Sequence, residues 1–460
     1  MKQVYFIGIG GIGMSALARY FHAKGYRVSG YDLTPSPLIE ALISEGIQVT
    51  FDDAVDAIVP QIPKREETTV VYTPAVPSSH PQLRYFIEQG YRVVKRAEIL
   101  GDITRMEKAL CVAGTHGKTT TSTILAHLLK QSHVDCNAFL GGIANNYKTN
   151  LLLSDKSDLV VVEADEFDRS FHHLTPALAI ITAADPDHLD IYGTPEAYRE
   201  AFEHFTALIR PGGYLIMKKG IAISPRTKPD VTALTYAVNE PADFYATDID
   251  TENGELTFRW HYPDDNGTPL AVKLGVPLYI NVENATAAMA AAYLNGVNIL
   301  ELQSGIASFA GSHRRFDRVL NTERFVLIDD YAHHPEELQA SLNSVRKLYP
   351  NERILGIFQP HLYSRTADFY REFASALDLI DQTILIDIYP AREEPMPGVT
   401  SQLIADHMSR KPMAVLPREE LTIFLSRHLK ELPRIIIMLG AGNIDRLVLP
   451  VKELLVENIK

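Results

Sequence analysis

The sequence predicts an α/β protein of three domains, each organised around a mostly parallel sheet. Apolar runs recur along the chain as buried-type strands, each followed by a helical pattern, and that alternation is the signature of parallel sheets. Two strand–glycine–helix junctions, at 3–24 and 109–131, open separate α/β units. A polar stretch at 311–317 then precedes a third run of alternation. The expected divisions are 1–105, 106–312 and 313–460, within the roughly two to four domains that a 460-residue chain allows.

In order, a strand at 3–7 enters a glycine cluster, a helix runs from Met14 to Lys24, and a second strand covers 26–32. The alternation continues to about residue 100. The second unit has a strand at 109–113, a helix at 119–131, and strands at 158–163 and 178–183. The segment 219–275 is Thr- and Asp-rich with short alternating runs such as 256–260, and is expected to be an antiparallel β insertion. An Ala-rich helix follows at 281–294. The last third alternates strand 325–329, helix 335–347, strand 353–358, helix 366–379, and strands 383–387 and 434–439. Pro335 is expected as a first helical residue and Thr366 as an N-cap.

Composition narrows the function classes. Apolar residues make up 46% and charged residues 22%, an ordinary globular balance that buries large cores. A formal net charge of -13 argues against binding nucleic acid or a membrane surface, which call for basic patches. Cys111 and Cys136 are the only cysteines, so neither a disulfide framework nor a zinc spacing is available and a reducing compartment fits. No secretory leader pattern opens the sequence, and no apolar run approaches the ~18 residues that span a bilayer. A cytoplasmic location is expected.

The first junction reads Gly8-Ile9-Gly10-Gly11-Ile12-Gly13, with Asp32 at the end of the next strand. Glycines let the backbone approach a diphosphate whose charge the helix N-terminus stabilises, and an acid about twenty residues on can meet a ribose hydroxyl. The pattern leaves open which nucleotide diphosphate binds; a turn that only packs helix on strand is the bland alternative. The second junction, Gly114-Thr115-His116-Gly117-Lys118-Thr119-Thr120, is a phosphate loop. Its backbone amides would cradle a polyphosphate, Lys118 would reach the β/γ oxygens, and the Thr119 hydroxyl would sit on Mg²⁺. It is a variant loop, because Val112 stands where the common pattern has glycine. Glu163, Asp165 and Glu166 end the strand at 158–163, where a metal-binding acid belongs. His188, in Asp187-His188-Leu189-Asp190, is a candidate ligand for a second divalent ion and equally a structural histidine. With these turns, the first domain reads as Rossmann-like, the central one as a P-loop ATPase-like parallel sheet with a β insertion, and the third as Rossmann-like.

In the last third, Arg314-Arg315-Phe316, Asp329 through Pro335, and Gln359 through Thr366 place Arg, His and Tyr at strand C-termini, in excess of what helix capping needs. Arginine there suits a carboxylate or a transferred phosphoryl group. A nicotinamide oxidoreductase would leave the loop at 114–121 and the Glu163 cluster unexplained. A catalytically silent scaffold would have no need of Lys118, Glu163 and His188.

Over nearly its whole length the chain resembles the Mur ligases, the family that builds the peptide stem of bacterial peptidoglycan. The strings that carry the resemblance are GIGGIGMS at 8–15, GTHGKTTT at 114–121, EADEFDRSF at 163–171, DHLD at 187–190, NVENA at 281–285, RRF at 314–316, DDYAHHP at 329–335, FQPHLYSRT at 358–366 and DIYPAREEP at 387–395. The resemblance implies ATP-dependent ligation of L-alanine to the lactyl carboxylate of UDP-N-acetylmuramate through an acyl phosphate. Addition of a tripeptide to the same sugar nucleotide is the alternative. It implies two Mg²⁺ ions, replaceable by Mn²⁺, and a monomer or homodimer. Gly8, Gly10, Gly11, Gly13 and Asp32 would hold the UDP substrate, with Thr73, Pro74 and Ala75 as a second uridine-side turn. Gly114 to Thr120 would hold ATP, joined by Asn281 and Asn284 on the adenine side, Arg315 near the hinge, and Asp330. Thr119, Glu163 and His188 would bind metal. His188, Tyr331, His333 and Arg365 would meet the UDP substrate, and Lys118, His333 and Arg365 would be the catalytic groups, with His333 accepting or positioning the amine proton. The third domain would close over ATP and amino acid. Three positions depart from the family's pattern: Ile280 where His is common, Leu362 where Arg is common, and Asn443 where Asp is common.

Overall fold

The computed structural model describes residues 3–58, 62, 65–73, 75–252, 254–391 and 393–458, without the side chains of 57, 189 and 190. Pro74 therefore lies outside the described residues. Two compact units are present: Met1–Ile249 with Phe258–Lys273 and Ile280–Phe309, and Asp250–Thr257 with Leu274–Tyr279 and Ala310–Lys460.

The first unit carries two sheets. Its five-stranded sheet runs Gln48–Thr50, Arg27–Tyr31, Gln3–Ile7, Thr68–Tyr72, Arg92–Lys95, every pair parallel. All five residues of Gln3–Ile7 are buried, because helices cover both faces of a parallel sheet and leave no side for polar alternation. The chain leaves this central strand toward Arg27–Tyr31 and returns on its other side as Thr68–Tyr72, so strand order reverses at Gly8. Ligands bind at such a reversal, beyond the strands' C-terminal ends.

The second sheet has ten strands, in the order Leu270–Lys273, Glu255–His261, Phe244–Glu252, Thr232–Val238, Tyr214–Lys218, Leu178–Ile181, Lys108–Ala113, Leu159–Ala164, Asn137–Ala144, Thr149–Leu152. Here too order reverses at one strand, Lys108–Ala113, which lies between Leu159–Ala164 and Leu178–Ile181 and opens into the phosphate loop. The hairpin Asn137–Leu152 extends one edge and is antiparallel within itself. The expectation of an antiparallel insertion over 219–275 fails in its first half: Thr232–Val238 pairs in parallel with Phe244–Glu252 and with Tyr214–Lys218, the strand just before the insertion. Alternation reports which face of a strand is buried and carries no information on its partner's direction.

In the second unit a six-stranded sheet runs Asp317–Asn321, Val326–Asp330, Ile435–Leu439, Ile354–Phe358, Gln382–Ile386, Ala414–Leu416. Only the first pair is antiparallel. Asp330 and Phe358 both pair with Leu439, so the turns after these three strands share one edge. Pro335 does open the helix Pro335–Leu348. Thr366 is not an N-cap. The helix Tyr363–Leu377 begins three residues before it, after Leu362 at φ 72, and the Thr366 hydroxyl donates back to the Leu362 carbonyl at 2.8 Å. No helix among the described residues is long and apolar enough to cross a membrane.

Candidate functional site

The glycine turn at 8–13 is braced from the neighbouring strand. Amides of Gly8 and Ile9 both donate to the Tyr31 carbonyl, at 2.8 and 3.0 Å, and the Gly10 amide donates to Asp32 Oδ2 at 2.7 Å. Asp32 also accepts from the Leu33 amide through Oδ1 at 2.8 Å. It thus pins the turn, and its remaining lone pairs are the ones a ribose hydroxyl could use. Thr73 sits against the same turn: a Cβ on Gly8 would lie 3.1 Å from its methyl group. Gly11 caps the helix Ile12–Ala23, whose first turn carries no acid, so the positive end of its dipole is open to an anion. Buried Asn150, from the hairpin of the second sheet, donates to the Ile12 carbonyl at 2.5 Å. Nothing local in the sequence marks that contact.

The phosphate loop is shaped by close approach. Gly114 has φ +144, and a Cβ there would fall 2.0 Å from Thr182 Oγ1 and 2.9 Å from the Ala183 amide nitrogen. Such a backbone costs any other residue about 1–3 kcal/mol before the clash is counted. The Thr115 hydroxyl donates to the Asp185 carbonyl at 2.7 Å and lies 2.9 Å from Tyr198 Oη. Thr182 Oγ1 donates to the carbonyl of exposed His116. Gly117, at φ +83, caps the helix Lys118–Gln131, whose first turn holds Lys118, Thr119 and Thr120 and no acid.

Side chains with chemistry converge on that helix start. Lys118 Nζ donates to the Gly114 carbonyl at 2.7 Å and to both oxygens of buried Glu166, at 2.9 and 2.7 Å. The Thr119 hydroxyl donates to Glu163 Oε2 at 3.2 Å, while Glu163 Oε1 accepts from the Ser122 hydroxyl at 3.1 Å and the Gly141 amide at 2.8 Å. Burial pushes both Glu163 and Glu166 above the usual carboxylate range, and Lys118 opposes this. A hydroxyl beside a fixed carboxylate is an all-oxygen donor set that suits a hard divalent cation completed by phosphate oxygens and water. Among the described residues no three His, Cys, Asp or Glu side chains form a ready-made cage. His188 adopts φ 52, packs edge-on against Phe167 at 5.3 Å, and lies 3.7 Å from the Asp187 carboxylate. Asn284 accepts from the Thr121 hydroxyl at 3.2 Å and donates to Asn281 at 3.3 Å, so both asparagines border the loop; a Cβ on Gly117 would lie 2.7 Å from Asn284.

One open pocket of about 190 Å³ joins the two turns. Ile12 and Gly13 line it from the first and Lys118 from the second, together with Glu163 on the strand Leu159–Ala164, Arg96 and Asp165. Arg96 and Asp165 carry no motif signal as a pair, being 69 residues apart.

The second unit gathers a separate cluster. Asp330 accepts from the Ser341 hydroxyl and, at 3.3 Å, from the Ala332 amide; burial raises its pKa, with exposed Arg315 opposing. Beneath it, Asp329 is buried with neither oxygen hydrogen-bonded and Arg314 Nε at 3.9 Å, and burial pushes its pKa up to about 7. Tyr331 stays exposed, its ring covered on one side by the Arg314 guanidinium at 5.0 Å. His333 Nδ1 lies 3.0 Å from the Tyr331 carbonyl and 3.2 Å from Glu337, a placement that makes Nδ1 the protonated nitrogen and Nε2 the basic one. Burial lowers its pKa, which favours the neutral ring. The His333 ring meets His361 at 5.8 Å, which stacks on Tyr389 at 5.6 Å. Arg365 Nη1 and His361 Nδ1 are both buried without a hydrogen-bond partner among the described residues. Gln359 and His361, which the sequence places in the 359–366 turn without a role of their own, both join this cluster. Gln359 donates to Asn443 Oδ1 at 3.0 Å and accepts from the Ile444 amide at 2.9 Å, locking the last glycine turn. An aspartate oxygen would serve equally at 443, so that departure is conservative.

Two phosphate-type turns at two sheet reversals, opening on one pocket, define a multidomain nucleotide-dependent α/β enzyme of the ligase kind rather than a dehydrogenase. Comparison with known proteins makes the assignment specific. Residues 3–108 match the Mur ligase family catalytic domain, 112–292 the Mur ligase middle domain, and 314–443 the Mur ligase glutamate ligase domain. The UDP-N-acetylmuramate–L-alanine ligase of Porphyromonas gingivalis is 63% identical over 99% of both chains. That of Parabacteroides distasonis is 57% identical over 100% of this chain and 98% of its own length. Among solved structures, the UDP-N-acetylmuramate–alanine ligase of Thermotoga maritima superposes with a TM-score of 0.80 at 26% identity, covering 100% of this chain and 99% of that one. A murein peptide ligase from Psychrobacter arcticus shares the fold, with a TM-score of 0.66 at 21% identity over 99% of both. The chain belongs to the Mur ligase family.

Proposed function

We propose that this enzyme joins L-alanine to the lactyl carboxylate of UDP-N-acetylmuramate, converting ATP to ADP and phosphate, in the synthesis of peptidoglycan. The observation that carries the reading is the shared pocket: the helix start at Ile12 and Gly13 and the phosphate-loop Lys118 face one space, so a sugar diphosphate and a triphosphate can meet there. The relatives named above at 57% and 63% identity are L-alanine ligases, whereas the peptide ligase matches at 21%, which favours the free amino acid over a tripeptide.

In this reading residues 1–105 hold the sugar nucleotide through Gly8, Gly10, Gly11, Gly13, Asp32 and Thr73. Residues 106–312 hold ATP through the loop Gly114–Thr120, Asn281 and Asn284. Residues 313–460 bring Arg315, Asp330, Tyr331, His333 and Arg365 to the nucleotide and the amino acid. Mg²⁺ held by Thr119 and Glu163, with His188 for a second ion, would offset the repulsion between a carboxylate and the γ-phosphate it attacks. Lys118 releases Glu166 to pair with the β/γ oxygens. Arg365, whose Nη1 has no partner among the described residues, would donate to a substrate carboxylate. Attack of the lactyl carboxylate on the γ-phosphate gives an acyl phosphate and ADP. The alanine amine then adds to the acyl carbon, His333 Nε2 takes its proton, and phosphate leaves. The thiols of Cys111 and Cys136, free and buried, suit the reducing cytoplasm.

An isotope experiment tests this directly. With ¹⁸O in the lactyl carboxylate, one labelled oxygen is expected in the released phosphate. Unlabelled phosphate would overturn the acyl-phosphate route.

A further inference from the structure

Arg96 opens the helix Arg96–Met106 immediately after the strand Arg92–Lys95, and Glu98 accepts from the Lys95 amide at 3.0 Å, so its backbone is fixed. The side chain lies across the first glycine turn. A Cβ on Gly13 would fall 2.5 Å from Arg96 Nη1 and 3.3 Å from its Cδ. The guanidinium thus lies directly against Gly13, and a side chain at that position would have to displace it. Nη2 donates to Asp165 Oδ2 at 3.2 Å; among the described residues no other acceptor takes a hydrogen bond from this guanidinium. A guanidinium has five N–H donors, so most of its capacity faces the pocket unspent.

Charge makes the same point. Arg96 and Lys118 are the cations on the pocket wall, and Glu163 and Asp165 are its acids. Lys118 is held at the triphosphate loop by Glu166 and the Gly114 carbonyl. A diphosphate seated at the Ile12–Gly13 helix start would otherwise face Asp165 with only backbone dipoles to offset the repulsion. A planar guanidinium can engage two phosphate oxygens at once.

We propose that Arg96 binds the diphosphate of the sugar nucleotide and that Asp165 is the positioning residue that holds its guanidinium over Gly13. This rests on the function proposed above and assigns its sugar-nucleotide site a cation. Because Asp165 belongs to the same segment as Glu163 and Glu166, the pairing also links the sugar-nucleotide turn to the residues around ATP.

The test titrates the full-length chain with UDP, with uridine and with ATP, comparing wild type, Arg96→Ala, Arg96→Lys and Asp165→Asn, each first shown to melt cooperatively. UDP affinity is expected to fall roughly 10- to 100-fold in Arg96→Ala, the range for losing hydrogen bonds to a charged group. Uridine and ATP affinities are expected to stay unchanged, Arg96→Lys to recover part of the loss, and Asp165→Asn to lose less than Arg96→Ala. In turnover, KM for UDP-N-acetylmuramate should rise while KM for ATP does not. Equal losses for uridine and UDP would reveal a merely structural role and overturn the proposal, as would unaltered UDP binding in Arg96→Ala. A wild-type chain that binds ATP but no UDP would overturn the functional reading along with it.

Discussion

Replacing Lys118 by alanine is expected to lower kcat on the order of 10²-fold or more, the usual consequence of deleting a group aimed at developing charge. The structure explains why the loss should fall on the chemical step. The Lys118 ammonium is anchored within the loop by the Gly114 carbonyl and held by buried Glu166, so it is preorganised at the pocket wall. Phosphate oxygens arriving at the loop compete with Glu166 for that ammonium, and charge transferred to them in the transition state strengthens the contact. The variant should also leave buried Glu166 without its cation, at some cost in stability. Steady-state ADP release, with a melting curve to separate the two effects, checks the expectation. A folded variant with near-normal kcat would mean that ATP reacts elsewhere.

The second large effect is expected for Glu163→Gln. The substitution keeps the side-chain volume and the oxygen that accepts from Ser122 and the Gly141 amide, and removes the negative charge beside Thr119. With Mg²⁺ held there as proposed, the ion would lose its anionic ligand, so the Mg²⁺ concentration for half-maximal rate should rise roughly 10- to 100-fold, with the rate partly recovered at high Mg²⁺. A rate that falls with no change in Mg²⁺ dependence would instead place Glu163 in a role other than metal binding.

Much of this architecture was legible in the chain because its signals are local. Val4–Ile7 is an uninterrupted apolar run, and the glycines at 8–13 and 114–117 stand where the backbone must turn at a strand end. Those features mark both glycine turns as strand-to-helix junctions; that each junction lies at a sheet reversal is a property of the strand order, which the local pattern does not carry. The hairpin Asn137–Leu152 was not legible, since Gly141 and Gly142 interrupt its strand and nothing nearby names its partner. The insertion's strands were visible but their direction was not, because a pairing partner is chosen by tertiary packing. Thr366 misled for a related reason: an unusual φ at Leu362, stabilised by its amide's hydrogen bond to the Tyr389 carbonyl, starts the helix early. Arg96 and Asn150 act through contacts with residues far away in sequence, and no spacing rule reaches that far. The site residues Lys118, Thr119, Glu163 and Asn284 do come together around one helix start, whereas Asp330, Tyr331, His333 and Arg365 form a cluster of their own in the second unit.

Occupancy by both nucleotides at once is the most direct test of the account. If the glycines at 8–13 take a sugar diphosphate and the loop at 114–120 takes a triphosphate, protein saturated with a non-hydrolysable ATP analogue should still bind one equivalent of UDP-N-acetylmuramate, with the analogue remaining in place. Displacement of either nucleotide by the other, at one equivalent in total, would contradict it.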